Sequence, residues 1–214
     1  MRARSYKGLH MNVIRRLLTT MVVVAAVVLA SSIASGSRLS LSATTFRIVS
    51  GAGVREGFVI CPLTLEGSFH SRSFAKVPGA LIGYITRARL EEELCSGGEA
   101  RYLQETLPWH LQYASFSGFL PNITSITTNV IGLGIVVTRF GRSCLYRTTM
   151  ATPGVLTWFR EPEGALRGIR WSESERIPSI TREEFCERTP TNLIGFSERV
   201  TQLESTELIV LRLI

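Results

Sequence analysis

The sequence predicts a mainly β fold, an antiparallel β-sandwich or barrel with disulfides, preceded by an N-terminal apolar segment. Three observations predict it. Apolar and polar residues alternate with period two in short runs, separated at intervals of about 10–15 residues by glycine, proline or polar turns. Four cysteines, Cys61, Cys95, Cys144 and Cys186, lie far apart in the chain. Helical patterning is confined to two short stretches.

The elements follow in order. Leu39–Ser42 alternates leucine and serine, and Phe46–Val49 continues in extended style. In the next run Val59, Cys61, Leu63 and Leu65 fall on one face, and Ile60, Pro62, Thr64 and Glu66 on the other. Pro62 has no N–H to give to a ladder, so an edge or a bulge is expected there. Further strands are expected at Ala80–Thr86, His110–Phe116, Ile131–Thr138, Cys144–Thr148, Val155–Arg160, Leu193–Leu203 and Glu207–Ile214. Gly79, Gly118, Pro121, Gly141 and Gly154 punctuate them. Arg87–Cys95 (RARLEEELC) reads as two helical turns, with Leu90 and Leu94 on one side and Gly97-Gly98 ending it. Thr181-Arg182-Glu183-Glu184 has capping-box spacing just before Cys186. Ser172–Glu187, the most polar stretch, reads as an exposed loop tied down by Cys186.

Charge and composition narrow the function. All 17 acidic residues are glutamates, so Asp-rich calcium loops, aspartic dyads and Ser-His-Asp triads are excluded. The formal charge is +7, but the first 34 residues hold five of the 24 basic residues and no acid. The remaining 19 basic and 17 acidic residues leave the body near +2, and no nucleic-acid partner is expected. Arg15-Arg16 precede an uncharged run from Leu17 to Ser37. A basic flank, an apolar run and small residues at Ser32 and Ala34 describe a secretory signal cleaved after Ala34. Residues 1–34 are then the leader and 35–214 a single extracytoplasmic domain. The competing reading keeps residues 17–37 as a membrane anchor, since the run is near the ~20 residues a spanning helix needs. The body is exported on either reading, to the cell envelope or the extracellular space. Met11 would serve equally well as the start. The residues around Arg15-Arg16 fit a twin-arginine signal poorly, and no cysteine follows the apolar run to carry a lipid.

Four cysteines in an exported domain favour two disulfides. Their separations of 34, 49 and 42 residues offer no C-x-x-C unit, so neither a zinc site nor a thioredoxin-like motif is indicated. Three connectivities are open, and sequential pairing, Cys61–Cys95 and Cys144–Cys186, is the preferred one. In the chain-entropy model each loop would add roughly 3–4 kcal/mol.

No catalytic residue, metal ligand or cofactor is assigned. His70 lies near Ser68, Ser71 and Glu66, but no nucleophile elbow is present, and it reads as a surface or turn histidine. If His110 met His70 and a glutamate across the sheet, a metal site could form. Glu91-Glu92-Glu93 and Glu183-Glu184 are adjacent and read as solvated faces, while Glu66 with Glu105 is a distant pair that a glycosidase could use. Trp109, Tyr113, Trp158 and Trp171 could stack on sugars, although strand aromatics are more often core. Trp171 stands out because arginines flank it. His70, His110, Trp109 and Trp171 are therefore the candidate ligand-binding residues, for an envelope or carbohydrate ligand. Asn122-Ile123-Thr124 is a glycosylation sequon in a eukaryotic route and a turn otherwise.

The runs CPLTLEGSFHSRSFAKVPGALIGYITRA and LPWHLQYASFSGFLPNITSI, with the strand-like C-terminal end, resemble uncharacterised secreted β-rich proteins of actinobacterial type. The resemblance covers residues 40–150 and the last strand and includes three of the cysteines. It implies an exported bacterial β-rich domain, on which the sequon is only a turn, and it implies no activity. The expectation is thus a non-enzymatic exported domain with a structural or binding role, with a secreted hydrolase acting on envelope or polysaccharide material as the alternative.

Overall fold

The computed structural model describes residues 38–54, 59–171, 177–187, 193–197 and 199–214. The leader expected over 1–34, and residues 172–176 of the polar stretch, lie outside them. Fifteen strands follow in chain order among the described residues: β1 (Arg38–Leu41), β2 (Thr45–Val54), β3 (Val59–Phe69), β4 (Ser73–Ala75), β5 (Leu81–Leu90), β6 (Glu99–Tyr102), β7 (Trp109–Phe119), β8 (Asn122–Ile131), β9 (Gly134–Arg139), β10 (Arg142–Arg147), β11 (Gly154–Arg160), β12 (Leu166–Trp171), β13 (Leu193–Ser197), β14 (Val200–Thr201) and β15 (Leu211–Leu213). The main sheet is an antiparallel meander in the order β13-β12-β11-β8-β7-β5-β3-β2-β14, and β13 also pairs with β2. That pairing brings the ends of the sheet together into a nearly closed barrel, which leaves few open strand edges.

The predicted two-residue period appears most plainly in β3. Val59, Cys61, Leu63 and Leu65 are buried, while Ile60, Pro62 and Thr64 are exposed or half-buried. Pro62 faces Gly51 of β2, and on its other side the β5 ladder has already ended at Leu63–Leu90. Its carbonyl still accepts from the Glu91 N–H at 3.0 Å, so Pro62 sits not at an edge but where the regular ladder gives way to the Glu92–Leu94 turn and its missing N–H goes unneeded. The inward residues fill the barrel. Trp109, Trp158 and Trp171 are at most 1% exposed. The Trp158 ring meets Phe46 edge-on at 5.3 Å and Phe69 at 5.7 Å. Its Nε1 donates to Thr128 Oγ1 at 2.9 Å, and that hydroxyl donates to the Leu156 carbonyl, so the buried polar atoms are satisfied. At Gly67 a Cβ would collide with the Tyr84 carbonyl oxygen and the Phe46 ring, so glycine is what lets β5 and Phe46 close on the β3 bulge.

Each end of the barrel carries a three-stranded sheet. We call the end where β3 finishes and β5 begins the upper end. There β15-β1-β4 forms a cap that buries Leu39, Leu41, Phe74 and Leu211. At the lower end β10-β9-β6 is appended, and Tyr102 of β6 packs against Trp109, the first residue of β7, at 4.9 Å. Cys61–Cys95 and Cys144–Cys186 are both bonded, the sequential pairing. Both bridges serve the lower end. One fastens the segment leading into β6 to β3, and the other fastens a short helical turn, Glu184–Glu187, to β10.

Several sequence expectations change. The helix expected over Arg87–Cys95 is instead the end of β5 followed by a 3-10 turn at Glu92–Leu94. Ala88 and Leu90 are buried and Leu94 is 62% exposed, so the burial there has period two and pairing with β3 overrides local helical preference. Ile131–Thr138 is not one strand. Gly132, at φ +90°, separates β8 from β9. Leu193–Leu203 divides into β13 and β14, and Glu207–Ile214 contracts to β15. The polar stretch before Cys186 is held at its described end, with Ile177 1% exposed and Cys186 fully buried.

Candidate functional site

An open groove of about 470 Å³ runs along the lower outer wall between β5 and β6. Strand alternation explains its lining. On β5 Ala88 and Leu90 turn inward, so Arg87 and Arg89 stand outward two residues apart. Arg101 stands outward from β6 while Tyr102 turns inward to the floor. Burial pushes the Tyr102 phenol well above its ordinary range, so it stays neutral and offers no charge. Gln104 closes one end, its amide committed to the Ala88 carbonyl at 2.9 Å. Glu92 closes the other, at the mouth of a second hollow of about 360 Å³ that Glu93 and Glu99 also line. The Cys61–Cys95 bridge pins the Glu91–Cys95 turn and so fixes the width of the groove at that side.

The charges are mixed: Arg87, Arg89 and Arg101 line the groove with Glu92, and Arg101 also lines the second hollow with Glu92, Glu93 and Glu99. Glu66, on the outer face of β3 with its side chain only 9% exposed, bridges two arginines. Its Oε1 accepts from Arg47 Nε at 2.8 Å and its Oε2 accepts from Arg87 Nη1 at 3.0 Å. One carboxylate thus answers two guanidinium groups. Arg89 and Arg101 make no ion pair with a carboxylate among the described residues. Guanidinium forks match the oxygens of carboxylate, phosphate or sulfate, and such a trough suits binding.

The residues singled out from sequence lie elsewhere. His70 and His110 do share the outer face, as edge-on neighbours of Tyr84 at 4.8 and 5.2 Å. Neither imidazole reaches a carboxylate among the described residues. No group of three His, Cys, Asp or Glu side chains that could hold a metal ion occurs among them either. Trp109 and Trp171 are core residues rather than a stacking platform. Arg170 points outward because strand neighbours take opposite faces, and Arg167, which strict alternation would put on the Trp171 face, is turned outward at the register shift against β11. The Trp171 indole N–H is buried and finds no acceptor among the described residues, whereas Trp109 Nε1 donates to Thr106 Oγ1 at 2.9 Å. Glu66 is occupied by its arginines and Glu105 lies in an exposed 3-10 turn. Asn122 opens β8 at an exposed hairpin tip. Sequence reading missed Arg87, Arg89 and Arg101. The signal was available in Arg87-Ala88-Arg89, which as a strand puts both charges on one face.

Comparison with protein-family models, with curated proteins and with solved structures finds no match to this chain.

Proposed function

We propose that this chain is an exported, non-enzymatic binding domain of the cell envelope or extracellular space, and that it takes an anionic group of an envelope polymer into the β5–β6 groove. The observation that carries the reading is the pair Arg89 and Arg101, two guanidinium groups without carboxylate partners among the described residues, facing an open trough. Two disulfides support an oxidising compartment. The filled barrel interior supports a ligand taken on the outer surface. The alternative is a secreted hydrolase acting on envelope or polysaccharide material through glutamate or histidine, and against its histidine version both rings pack on Tyr84 rather than beside a carboxylate.

Calorimetric titration of the protein with a phosphate-bearing polymer, and separately with a polyuronate, tests this. Binding that weakens with salt is expected, and the stronger of the two responses identifies the anion. The Arg89→Ala, Arg101→Ala double variant should lose roughly tenfold or more in affinity. Unchanged affinity in the double variant, or no binding to either polymer, would contradict the proposal.

A further inference from the structure

The groove and the second hollow share two residues, Glu92 and Arg101, so the two spaces adjoin. Strand register explains the second hollow. Across the β6–β9 ladder Glu99 faces Thr138 and Arg101 faces Val136. Ala100 and Tyr102 are buried, so Glu99 and Arg101 leave the outer face of one strand, about 7 Å apart at about 3.3 Å per residue. Gly98 lets β6 begin this close to β9, because a Cβ there would stand 2.7 Å from the Thr138 carbonyl oxygen. The remaining wall is the Glu92–Leu94 turn, whose Glu92 and Glu93 line the hollow and which the Cys61–Cys95 bridge holds in place.

Charge is divided between the two spaces. Arg87 and Arg89 belong to the groove, Glu93 and Glu99 to the second hollow, and Glu92 and Arg101 to the junction. The opposite charges do not close on one another there. Among the described residues Glu92, Glu93 and Glu99 make no ion pair with an arginine, and Arg89 and Arg101 make none with a carboxylate. A ligand bearing negative charge alone would meet three carboxylates one step beyond Arg101, which opposes its binding. A ligand that carries a positive group a short way from its anion meets the opposite charge at both places.

We infer, resting on the groove reading and narrowing its ligand class, that the two spaces form one bipolar site for a zwitterionic repeat of an envelope polymer. The anion lies against Arg89 and Arg101, and a primary ammonium lies among Glu92, Glu93 and Glu99. An ammonium offers three donors and no acceptor, which suits a wall of carboxylates. Among the described residues these side chains do not converge as metal ligands would, whereas an ammonium on a flexible arm needs no fixed coordination shell. Arg101 is the pivot, since it borders both spaces and sets the distance between the two charges of the ligand.

The test uses two anionic polymers, a polyuronate and a phosphate-bearing polyol. Each is given short aminoalkyl arms on part of its hydroxyl groups, and half of each batch is N-acetylated, so that the members of a pair differ only in the ammonium charge. Calorimetric titration of the full chain should show the ammonium form of the bound polymer binding about fivefold tighter than its acetylated partner. The chain is net basic at +7, so unspecific attraction would favour the acetylated, more negative form, and the expected preference runs against it. Glu92, Glu93 and Glu99 are exposed, so the Glu92→Gln, Glu93→Gln, Glu99→Gln triple variant keeps its fold. It should bind both members of the pair alike, at no less than the affinity of the native chain for the acetylated form. Equal affinity of the native chain for both members, or a preference for the acetylated one, overturns the bipolar site and leaves the groove reading standing. A preference for the ammonium form that persists in the triple variant seats the ammonium elsewhere and overturns it too. Binding of none of the four polymers removes the groove reading and the bipolar site together.

Discussion

At the lower end two disulfides fasten the appended sheet β10-β9-β6 and its flanking turns, whereas at the upper end the cap β15-β1-β4 is held by backbone ladders and a few buried leucine and phenylalanine side chains. The difference follows from what each end carries. The lower end holds an open groove whose walls, β5 and β6, are not paired strands and need an external constraint to keep their spacing. A disulfide supplies that constraint by removing unfolded conformations, so it works even where little apolar area is buried. The upper end joins residues from opposite ends of the described chain, Leu39 with Leu213 and Leu41 with Leu211. Closing so long a loop is entropically costly, and only apolar burial and ladder hydrogen bonds offset it. The cap should thus open before the groove does.

The largest expected effect breaks the covalent side of this contrast. Replacing Cys61, Cys95, Cys144 and Cys186 by serine should cost roughly 3–4 kcal/mol per bridge, read by denaturant melts. Hydrogen exchange should accelerate first in β6, β9 and β10 and leave β1 and β4 as protected as before. Breaking the apolar side is expected to cost less. Leu211→Ala removes a fully buried side chain and should lose about 3 kcal/mol, with exchange rising in the cap alone. Equal acceleration at both ends in either variant would erase the distinction.

Alkaline pH sharpens the comparison. Burial raises the Tyr102 phenol far above its ordinary value of 10.0 and raises Tyr113 in the same direction. In the unfolded chain these phenols ionise near pH 10, while in the folded protein they keep their protons, so the native state binds more protons than the unfolded one. The stability they contribute is complete below pH 10 and is lost as pH rises above it. Tyr102→Phe should flatten that decline, and an unchanged slope would show that the lower-end phenol does not couple to folding. The smallest effect belongs to the outer wall. Glu66→Gln leaves Arg47 and Arg87 without their shared anion and should cost about 1 kcal/mol or less, because both arginines are well exposed and screened by salt. The same change makes the groove more basic, so anion affinity should rise.

Much of the strand pattern was legible because alternation is local. The VICPLTLE run reveals the inward face of β3 residue by residue, and separation of the cysteines along a chain read as exported pointed to bridges rather than metal. Sequence was silent where tertiary pairing decides. β8 carries threonine and asparagine among its apolar residues, β12 is broken by Gly168, and β6 is four residues long, so none shows a clear period. Closure of the sheet through β13 and β2 depends on partners as remote in the chain as Ile194 and Gly53, far outside the range of local patterning. The groove was hidden for a related reason. Reading Arg87–Cys95 as helical spread its arginines around a cylinder, and only the strand assignment aligns Arg87 with Arg89 and brings Arg101 opposite. Trp171 erred in the other direction, since its arginine neighbours suggest an exposed setting only if faces are ignored.

Two bonded cysteine pairs imply that this barrel matures in an oxidising compartment with its groove end covalently closed. Non-reducing peptide mapping by mass spectrometry, on protein recovered from its native location, tests it most directly. Cys61 linked to Cys95 and Cys144 linked to Cys186, with no free thiol, is the expected result. Four free thiols, or bridges joining Cys61 or Cys95 to Cys144 or Cys186, would contradict it.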